Sequence, residues 1–548
     1  MKSLTTGGQR LLPLLALWAV LPAFAQPAND ASFVATLGEL REASYADKGN
    51  IVERLSQSAH PSVRAVLTAL LEDRLYFRNS DQKVFVVKTA GADPMNLIDP
   101  VSLKDAGTIA ADQLTQIGTN NGLRRVLRMA VAHFALSSGD ANVRLDAVRE
   151  MMQSLDEPTV GLLRQQMAVE KDASVKKEIA TGLALAALDG TDTPARLQAI
   201  ATLKGSVSQD VRNRLAQLLD KSSDGSFAES NEPVRRAAQS AVASIDRARA
   251  FYSGIETLFF GLSLGSVLVL IAMGLAITFG VMGVINMAHG ELMMLGAYTT
   301  YLVQVAMPGH IGLSILAAIP AAFIIAGLTG VLMERTIIRF LYGRPLETLL
   351  ATFGVSLILQ QAVRSIFSAL NRSVITPEWM SGSLRLNDAL AITYNRLYIV
   401  IFTLIVFAVV MLVLRRTRLG LDIRAVSQNR AMAKAMGIRT EWVDAMTFGL
   451  GSGIAGVAGV ALSQLTNVGP NLGQAYIIDS FLVVVFGGVG NLWGSLIGGV
   501  SMGIFNKLLE PYAGAVLAKI FVLMALILFI QIRPRGLFPP AGRASEDK

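Results

Sequence analysis

The chain contains no cysteine among its 548 residues, which excludes a disulfide framework, a thiolate nucleophile and any cysteine-ligated metal. Histidine is nearly as scarce: four residues leave little room for a histidine-rich metal centre. Charged residues make up only 16% of the chain against 52% hydrophobic, with a mean hydropathy of +0.47, too apolar for an ordinary soluble enzyme. No G-x-x-x-x-G-K-[ST] phosphate loop occurs, so the chain carries no nucleotide motor of its own.

What is present falls into two parts. Residues 1–250 hold 29 Lys/Arg and 28 Asp/Glu, whereas residues 251–548 hold 20 and 13, so seven of the eight excess positive charges belong to the apolar part. Basic charge concentrated there argues for loops facing a cytoplasmic leaflet rather than for a nucleic-acid surface, and nucleic acid is not an expected partner. At the amino terminus, Lys2 and Arg10 precede the apolar stretch Leu11 to Phe24, and Ala23-Phe24-Ala25 offers a cleavage point before Gln26. This pattern predicts a secretory signal peptide over 1–25. The alternative, a short uncleaved membrane helix, would be interrupted by Pro13 and Pro22 and falls below the usual ~20-residue span.

Residues 26–250 repeat apolar positions every three or four residues, which predicts an exported domain of short amphipathic helices. Several open alike: Pro61-Ser62-Val63-Arg64, Ala141-Asn142-Val143-Arg144, Ala173-Ser174-Val175-Lys176, Gln209-Asp210-Val211-Arg212 and Glu232-Pro233-Val234-Arg235. The recurrence is similar to HEAT-type helical repeats, although its spacing is irregular. One helix is expected to run through HPSVRAVLTALLEDRLYFR, and the Gly- and Pro-bearing stretch Lys83 to Ile109 to form a small hairpin or loop insertion. His60 and His133 stand alone and read as capping or packed residues, and the Arg-rich helix starts as solvated faces or local pairs. The domain shows no catalytic constellation, so docking or a structural role is its expected use.

From 251 to 548 the helices are apolar all round, at about 256–279, 287–306, 311–332, 347–369, 397–414, 446–465, 476–490, 494–509 and 515–532. The expected fold class is therefore all-α: a polytopic bundle of about eight or nine membrane helices carrying a helical, HEAT-like domain. Residues 476–509 are short and glycine-rich, readable as two spans or as a broken hairpin. Arg335, Arg339 and Arg344 in one connection, the run from Arg415 to Arg439 in another, and Arg533 and Arg535 in the tail place all three on the cytoplasmic side. Starting outside, nine crossings, or eight with a broken pair of the same parity, satisfy them. Glycines between Gly449 and Gly459 predict close helix packing. Glu291 and Asp479 are the notable acids at membrane or boundary positions, and no ordered ladder of acids suggests a proton relay.

Four segments carry a resemblance. They are GLAITFGVMGVINMAHGELMMLGAY (274–298), with its core Gly283 to Gly290; Arg418-Leu419-Gly420 through Arg424-Ala425, with Asn429 to Gly437-Ile438; Phe486 to Ser495; and Arg533-Pro534-Arg535-Gly536-Leu537-Phe538. In this order they closely resemble the branched-chain amino acid and urea type permeases of ABC importers, over nearly all of 255–540. The long exported extension departs from the ordinary amino acid permeases and looks like that of the urea-importing members.

The resemblance implies an inner-membrane, multi-pass import subunit, not an enzyme and without a cofactor, with its amino-terminal domain periplasmic. Implied partners are a second related permease, two cytoplasmic ATP-binding subunits, an extracytoplasmic solute-binding protein and membrane lipid. Urea is the expected cargo, with branched-chain amino acids or short amides as the alternative, and a membrane-anchored helical interaction scaffold as the reading of a different class. A secondary transporter, coupled to ions, is disfavoured by the lack of a charged relay.

Asn286 and His289, three apart, share a face if the signature is helical. With Thr278, Asn467 and Gln474 they supply the uncharged polar groups a neutral solute needs, Glu291 completing the translocation-path candidates; interhelical hydrogen bonding is the alternative for each. Residues 421–436 are expected to form one short helix with Ile423, Val426, Ala433 and Met436 as apolar contacts and Arg424, Arg430 and Lys434 around them. By resemblance this is the coupling helix seated in the ATPase, with Arg418 and Gly420 leading into it and Gly437 ending it; the alternative is an amphipathic surface helix.

Overall fold

The computed structural model describes residues 27–58, 60–221 and 227–538, so the signal-peptide expectation lies outside the described residues. The chain divides into two compact units, one holding residues up to 206 with 214–241, the other 207–213 with 242 onward.

The first unit opens with α1 (Pro27–Glu39), α2 (Tyr45–Gln57) and α3 (Val63–Leu71). The helix expected to run on to Arg78 stops short of it: Asp73 takes a left-handed backbone and Leu75–Arg78 becomes the strand β1. β2 (Val84–Val87), β3 (Met95–Ile98), β4 (Asp105–Ile109) and β5 (Leu114–Gln116) join it in an antiparallel sheet ordered β4-β3-β2-β1-β5, larger than the expected hairpin. Tyr76 pairs with Phe85 and Phe77 with Val84, and Leu75, Val84 and Val86 bury against the first helices, so tertiary burial overrides the local helical period.

The expected succession of short helices comes next, as α4 (Asn121–Ala135), α5 (Ala141–Met151), α6 (Glu157–Val169), α7 (Ala173–Ala187), α8 (Thr193–Leu203) and α9 (Gln209–Gln217). Asp140, Asp156 and Asp172 accept backbone N–H bonds at the starts of α5, α6 and α7, each satisfying a donor the helix cannot. The recurrence extends to ion pairs. Arg144, four residues after the cap Asp140, grips Glu170, two residues before the cap Asp172; Arg196, four after Asp192, grips Glu229, two before Asn231. Arg144 Nε and Nη2 each lie 2.8 Å from a Glu170 oxygen, and this partnership holds that carboxyl far below the usual carboxylate range. At these two helix starts the arginine is an ion-pair partner, whereas Arg64 at the start of α3 is exposed.

α10 (Glu232–Met282) carries residues of both units, to Ala241 in the first and from Val242 in the second. The second unit continues with α11 (His289–Ala306), α12 (Ile311–Thr336), α13 (Pro345–Phe367), the hairpin β6 (Ser383–Asn387) and β7 (Leu390–Thr393), α14 (Tyr394–Arg416), the short α15 (Arg418–Gln428) and α16 (Arg430–Ala435), then α17 (Thr440–Ser463), α18 (Leu472–Gly487) and α19 (Leu492–Ile532). Among the described residues six of these, α10, α12, α13, α14, α17 and α19, are long and apolar enough to cross a membrane. The 18-residue α11 is buried over its first three turns and exposed at Leu302 and Val305, and α18, at 16 residues, is roughly 24 Å long, short of a ~30 Å hydrocarbon core.

The region expected to be ambiguous resolves into a hairpin and a fold-back. α18 and the first arm of α19 are joined through 488–491, where Gly488 and Gly490 have positive φ. α19 breaks at Gly514 (φ 76°, ψ 163°), three residues after Pro511. Its second arm returns to where the first began: the Leu537 and Phe538 N–H groups donate to the Phe486 and Gly487 carbonyls at 2.8 and 3.1 Å. Each of the nine expected apolar segments therefore has its helix or helical arm.

α17 is the centre of this unit. From Gly451 to Ser463 every residue is buried, and the helix is packed by α11 and α12. An added Cβ on Gly296 would overlap the Gly456 backbone, and one on Gly290 the Gly473 backbone, so α11 approaches both α17 and α18 at main-chain distance.

Candidate functional site

α10 ends at Met282 because Gly283 turns left-handed (φ 67°), and the chain stays non-helical until His289. Irregular backbone at membrane depth is tolerated only inside protein or along an aqueous cavity. Here it is clamped by neighbouring polar groups. Asn286 Oδ1 accepts the Ala288 N–H at 3.0 Å, and the Thr352 hydroxyl of α13 accepts the Met287 N–H at 3.1 Å. His289 Nε2 stands 3.0 Å from the Ile271 carbonyl and, facing an acceptor, must donate to it. One turn into α11, Glu291 Oε1 accepts from Ser356 Oγ (2.9 Å) and Gln360 Nε2 (2.7 Å).

Thr348, Thr352, Ser356 and Gln360 are spaced by four along α13, so they stand on one face, and all are buried. The opposite face carries Leu346, Leu350, Leu357 and Ile358, all exposed. A membrane helix that turns its polar stripe inward and its leucines outward brings hydrogen-bonding groups to the α10–α11 break. Three buried atoms at that break have no partner among the described residues: Asn286 Nδ2, His289 Nδ1 and Glu291 Oε2. Asn286 Nδ2 is left as a donor and Glu291 Oε2 as an acceptor, and His289 Nδ1 is an acceptor because its Nε2 donates; His289 turns toward α10 and Glu291 toward α13.

Of the six path candidates named from sequence, Asn286, His289 and Glu291 lie in or directly after the break, with His289 bonded to α10 and Glu291 to α13. The face-sharing argument for Asn286 and His289 does not hold, because Asn286 lies in the non-helical break and acts as a turn residue. Thr278 is buried on α10, but its hydroxyl is spent on its own helix at Gly274 and Leu275. Asn467, in the α17–α18 connection, and Gln474, in the first turn of α18, are exposed and outside the buried set. The α13 stripe escaped the sequence reading, although its signal is there: a polar residue every fourth position through an otherwise apolar run.

The second candidate region also differs from expectation. Residues 421–436 form parts of two helices, not one: Asn429 adopts an extended backbone, and its side chain caps α16 by accepting the Met432 N–H at 2.9 Å. Ile423, Val426 and Ala433 face inward onto Val443 and are unavailable to another subunit. Exposed apolar surface comes instead from Leu421, Met432, Met436 and Trp442. Gly420 is pressed on the Leu414 backbone, where a Cβ would not fit, and Arg424 Nη1 caps the same Leu414 carbonyl at 2.6 Å. Arg430 makes a paired bond to Asp444 (2.9 and 2.5 Å) and lies 4.0 Å above the Tyr342 ring, a positioning role within this chain. Arg418 and Lys434 remain exposed. Gly437 does end the element, with φ 90° and the Ile438 N–H bonded back to Ala433. Beside it lies a groove of about 520 Å³ lined by Arg335, Lys434, Arg439, Glu441 and Trp442.

Known proteins share this membrane unit. Residues 257–531 match the family described as branched-chain amino acid transport system / permease component. The high-affinity branched-chain amino acid transport system permease protein LivH of Salmonella typhimurium is 31% identical over 305 residues, covering 54% of this chain and 97% of the relative. BraD of Pseudomonas aeruginosa, with the same description, is 31% identical over 307 residues (54% and 98%). The ribose import permease protein RbsC of Escherichia coli is 28% identical over 136 residues (23% and 42%).

Proposed function

The chain belongs to the branched-chain amino acid transport system permease component family, and from that premise we propose that it is the membrane permease subunit of an ATP-driven importer whose cargo is a branched-chain amino acid. Membership corrects the weight given to urea from sequence: the relatives that match over nearly their whole length are described as branched-chain amino acid permeases. The observation that carries a transport role is the buried break at 283–288, in and beside which Asn286 Nδ2, His289 Nδ1 and Glu291 Oε2 are left without a partner at a depth where unsatisfied polar atoms are costly.

In this reading the bundle sits in the inner membrane with its basic connections cytoplasmic and the amino-terminal domain, residues 26–250, periplasmic behind a cleaved signal peptide. It works with a second related permease, two ATP-binding subunits and an extracytoplasmic solute-binding protein. The ATPase docks on the exposed Leu421, Met432, Met436 and Trp442 with Arg418 and Lys434 at the rim. Gly420, Ile423, Arg424, Val426 and Arg430 fasten α15 and α16 to α14 and α17, so a push on Met436 is passed to the bundle through them.

A second reading, urea, is favoured by one observation: the first unit, up to 206 with 214–241, is a folded unit outside the family match. Uptake by the complete importer in ATP-loaded vesicles separates the two. Labelled leucine should accumulate only with ATP, and a hundredfold excess of urea or acetamide should not compete. ATP-dependent urea uptake indifferent to leucine would replace the amino acid by urea.

A further inference from the structure

Asp479 of α18 and Lys519 in the second arm of α19 face each other at 3.3 Å. Their depth follows from the fold-back described above. Gly487 and Ile532 both end near the basic side, and Asp479 and Lys519 lie about 12 and 20 Å back along their helices from those ends, near the middle of a ~30 Å hydrocarbon core. The pair is not enclosed: the Lys519 side chain is 53% exposed and that of Asp479 21%. Among the described residues no other hydrogen bond or ion pair reaches either group, so the ammonium and the carboxylate both keep unused bonding capacity.

A lipid-facing helix of this same protein looks different. Between Arg396 and Arg415, α14 has no ionisable residue except Tyr398, and it exposes Leu404, Ile405, Val409 and Leu412. An ion pair at mid-depth on an open face is unstable against hydrocarbon and belongs beside water or a polar solute.

We propose that the face of α18 and α19 around Asp479 and Lys519 lines the aqueous solute path, and that the pair receives a zwitterion, its ammonium on Asp479 and its carboxylate on Lys519. The α-amino acid backbone is that zwitterion. Both charges are exchanged for equivalent partners as the solute enters, whereas a neutral amide such as urea gains no such exchange. The pair thus selects for the amino acid class, and side-chain choice lies elsewhere. This inference rests on the permease reading above and deepens it.

The absence of cysteine makes the test direct. Single-cysteine variants Ala475→Cys and Val516→Cys, one turn from Asp479 and Lys519 and both exposed, are compared with Ile405→Cys on α14 in the assembled importer. A charged, membrane-impermeant thiol reagent should modify A475C and V516C, leucine should slow the reaction, and I405C should stay unmodified. In parallel, Asp479→Asn and Lys519→Gln should each raise the leucine KM at least tenfold while kcat and the amount of inserted protein are kept. Equal inertness of all three cysteines, or an unchanged KM, overturns the inference. Wild-type uptake is measured first: absence of ATP-dependent leucine uptake strikes the amino acid reading itself, whereas intact uptake with unaffected variants strikes only the role of this pair.

Discussion

Both units bury a carboxylate, and they treat it differently. Glu170 in the first unit receives the Arg144 guanidinium on both oxygens, with further bonds from the Gln166 side chain and the Lys171 and Asp172 N–H groups. Glu291 in the second unit receives two neutral donors, Ser356 and Gln360, on one oxygen, while its other oxygen has no partner. A saturated carboxylate is a fastening: every lone pair is used in holding two helices. A half-saturated one is poised for an additional partner, which is the property a path needs and a scaffold avoids. The same division runs through the packing. The first unit joins its helices through capped starts and long ion-paired side chains, whereas the second brings backbones together with glycine.

The comparison breaks most severely if the second unit can tolerate a side chain where backbones meet. Gly296→Leu places a side chain into the Gly456 main chain, and the cost of overpacking, about 1–3 kcal/mol where atoms can shift, is exceeded where backbone must move. Little correctly folded protein is expected, read as loss of the monodisperse peak in detergent; a normal yield would contradict the main-chain contact.

A smaller effect is expected at the saturated carboxylate. Arg144→Ala leaves Glu170 buried without its cation, so the melting temperature should fall by several degrees, and the acid response should change as well. Because the folded pKa of Glu170 is depressed, its contribution is complete above the ordinary carboxylate range and is lost only as pH falls through the lowered value. Without Arg144 that loss begins at higher pH, and the acid-unfolding midpoint of the first unit, followed by far-UV circular dichroism, should rise. An unchanged midpoint would show the pair to be incidental.

Smallest of all is the expected effect of Glu291→Gln on stability. The amide keeps an acceptor for Ser356 and Gln360 and turns its second group toward the unpartnered side, so thermal stability should stay within about 1 kcal/mol of wild type. Uptake, by contrast, should drop. A large stability loss would make Glu291 a fastening like Glu170 and erase the distinction.

The apolar segments of the bundle were legible because membrane burial writes itself into composition, and the capped, repeated helix starts because Asp, Asn and Pro have position-specific backbone uses. The sheet between Leu75 and Gln116 was not: its strands are three to five residues long, and LYFR continues a helical period until long-range pairing claims it. The α13 stripe was hidden by averaging, since four polar residues among leucines do not alter an apolar span. For α15 and α16, Ile423, Val426 and Ala433 form an apolar pattern that fits an outward docking face and an inward packing face equally well; only the neighbouring Val443 decides. Asn286 and His289 were found through the motif they sit in, but their spacing misled, because Gly283 had already ended the helix.

The enclosure of α17 has a consequence for how the protein is made. A segment leaving the insertion machinery first faces lipid, where glycine, serine and threonine partition less favourably than the leucines, isoleucines and valines of α14. The helices that wall α17 in, α11 and α12, precede it in the chain and are already in the bilayer when it emerges. Synthesis order therefore supplies the least lipid-soluble central helix with a proteinaceous berth, and moving α17 ahead of them by circular permutation would ask it to wait alone in hydrocarbon.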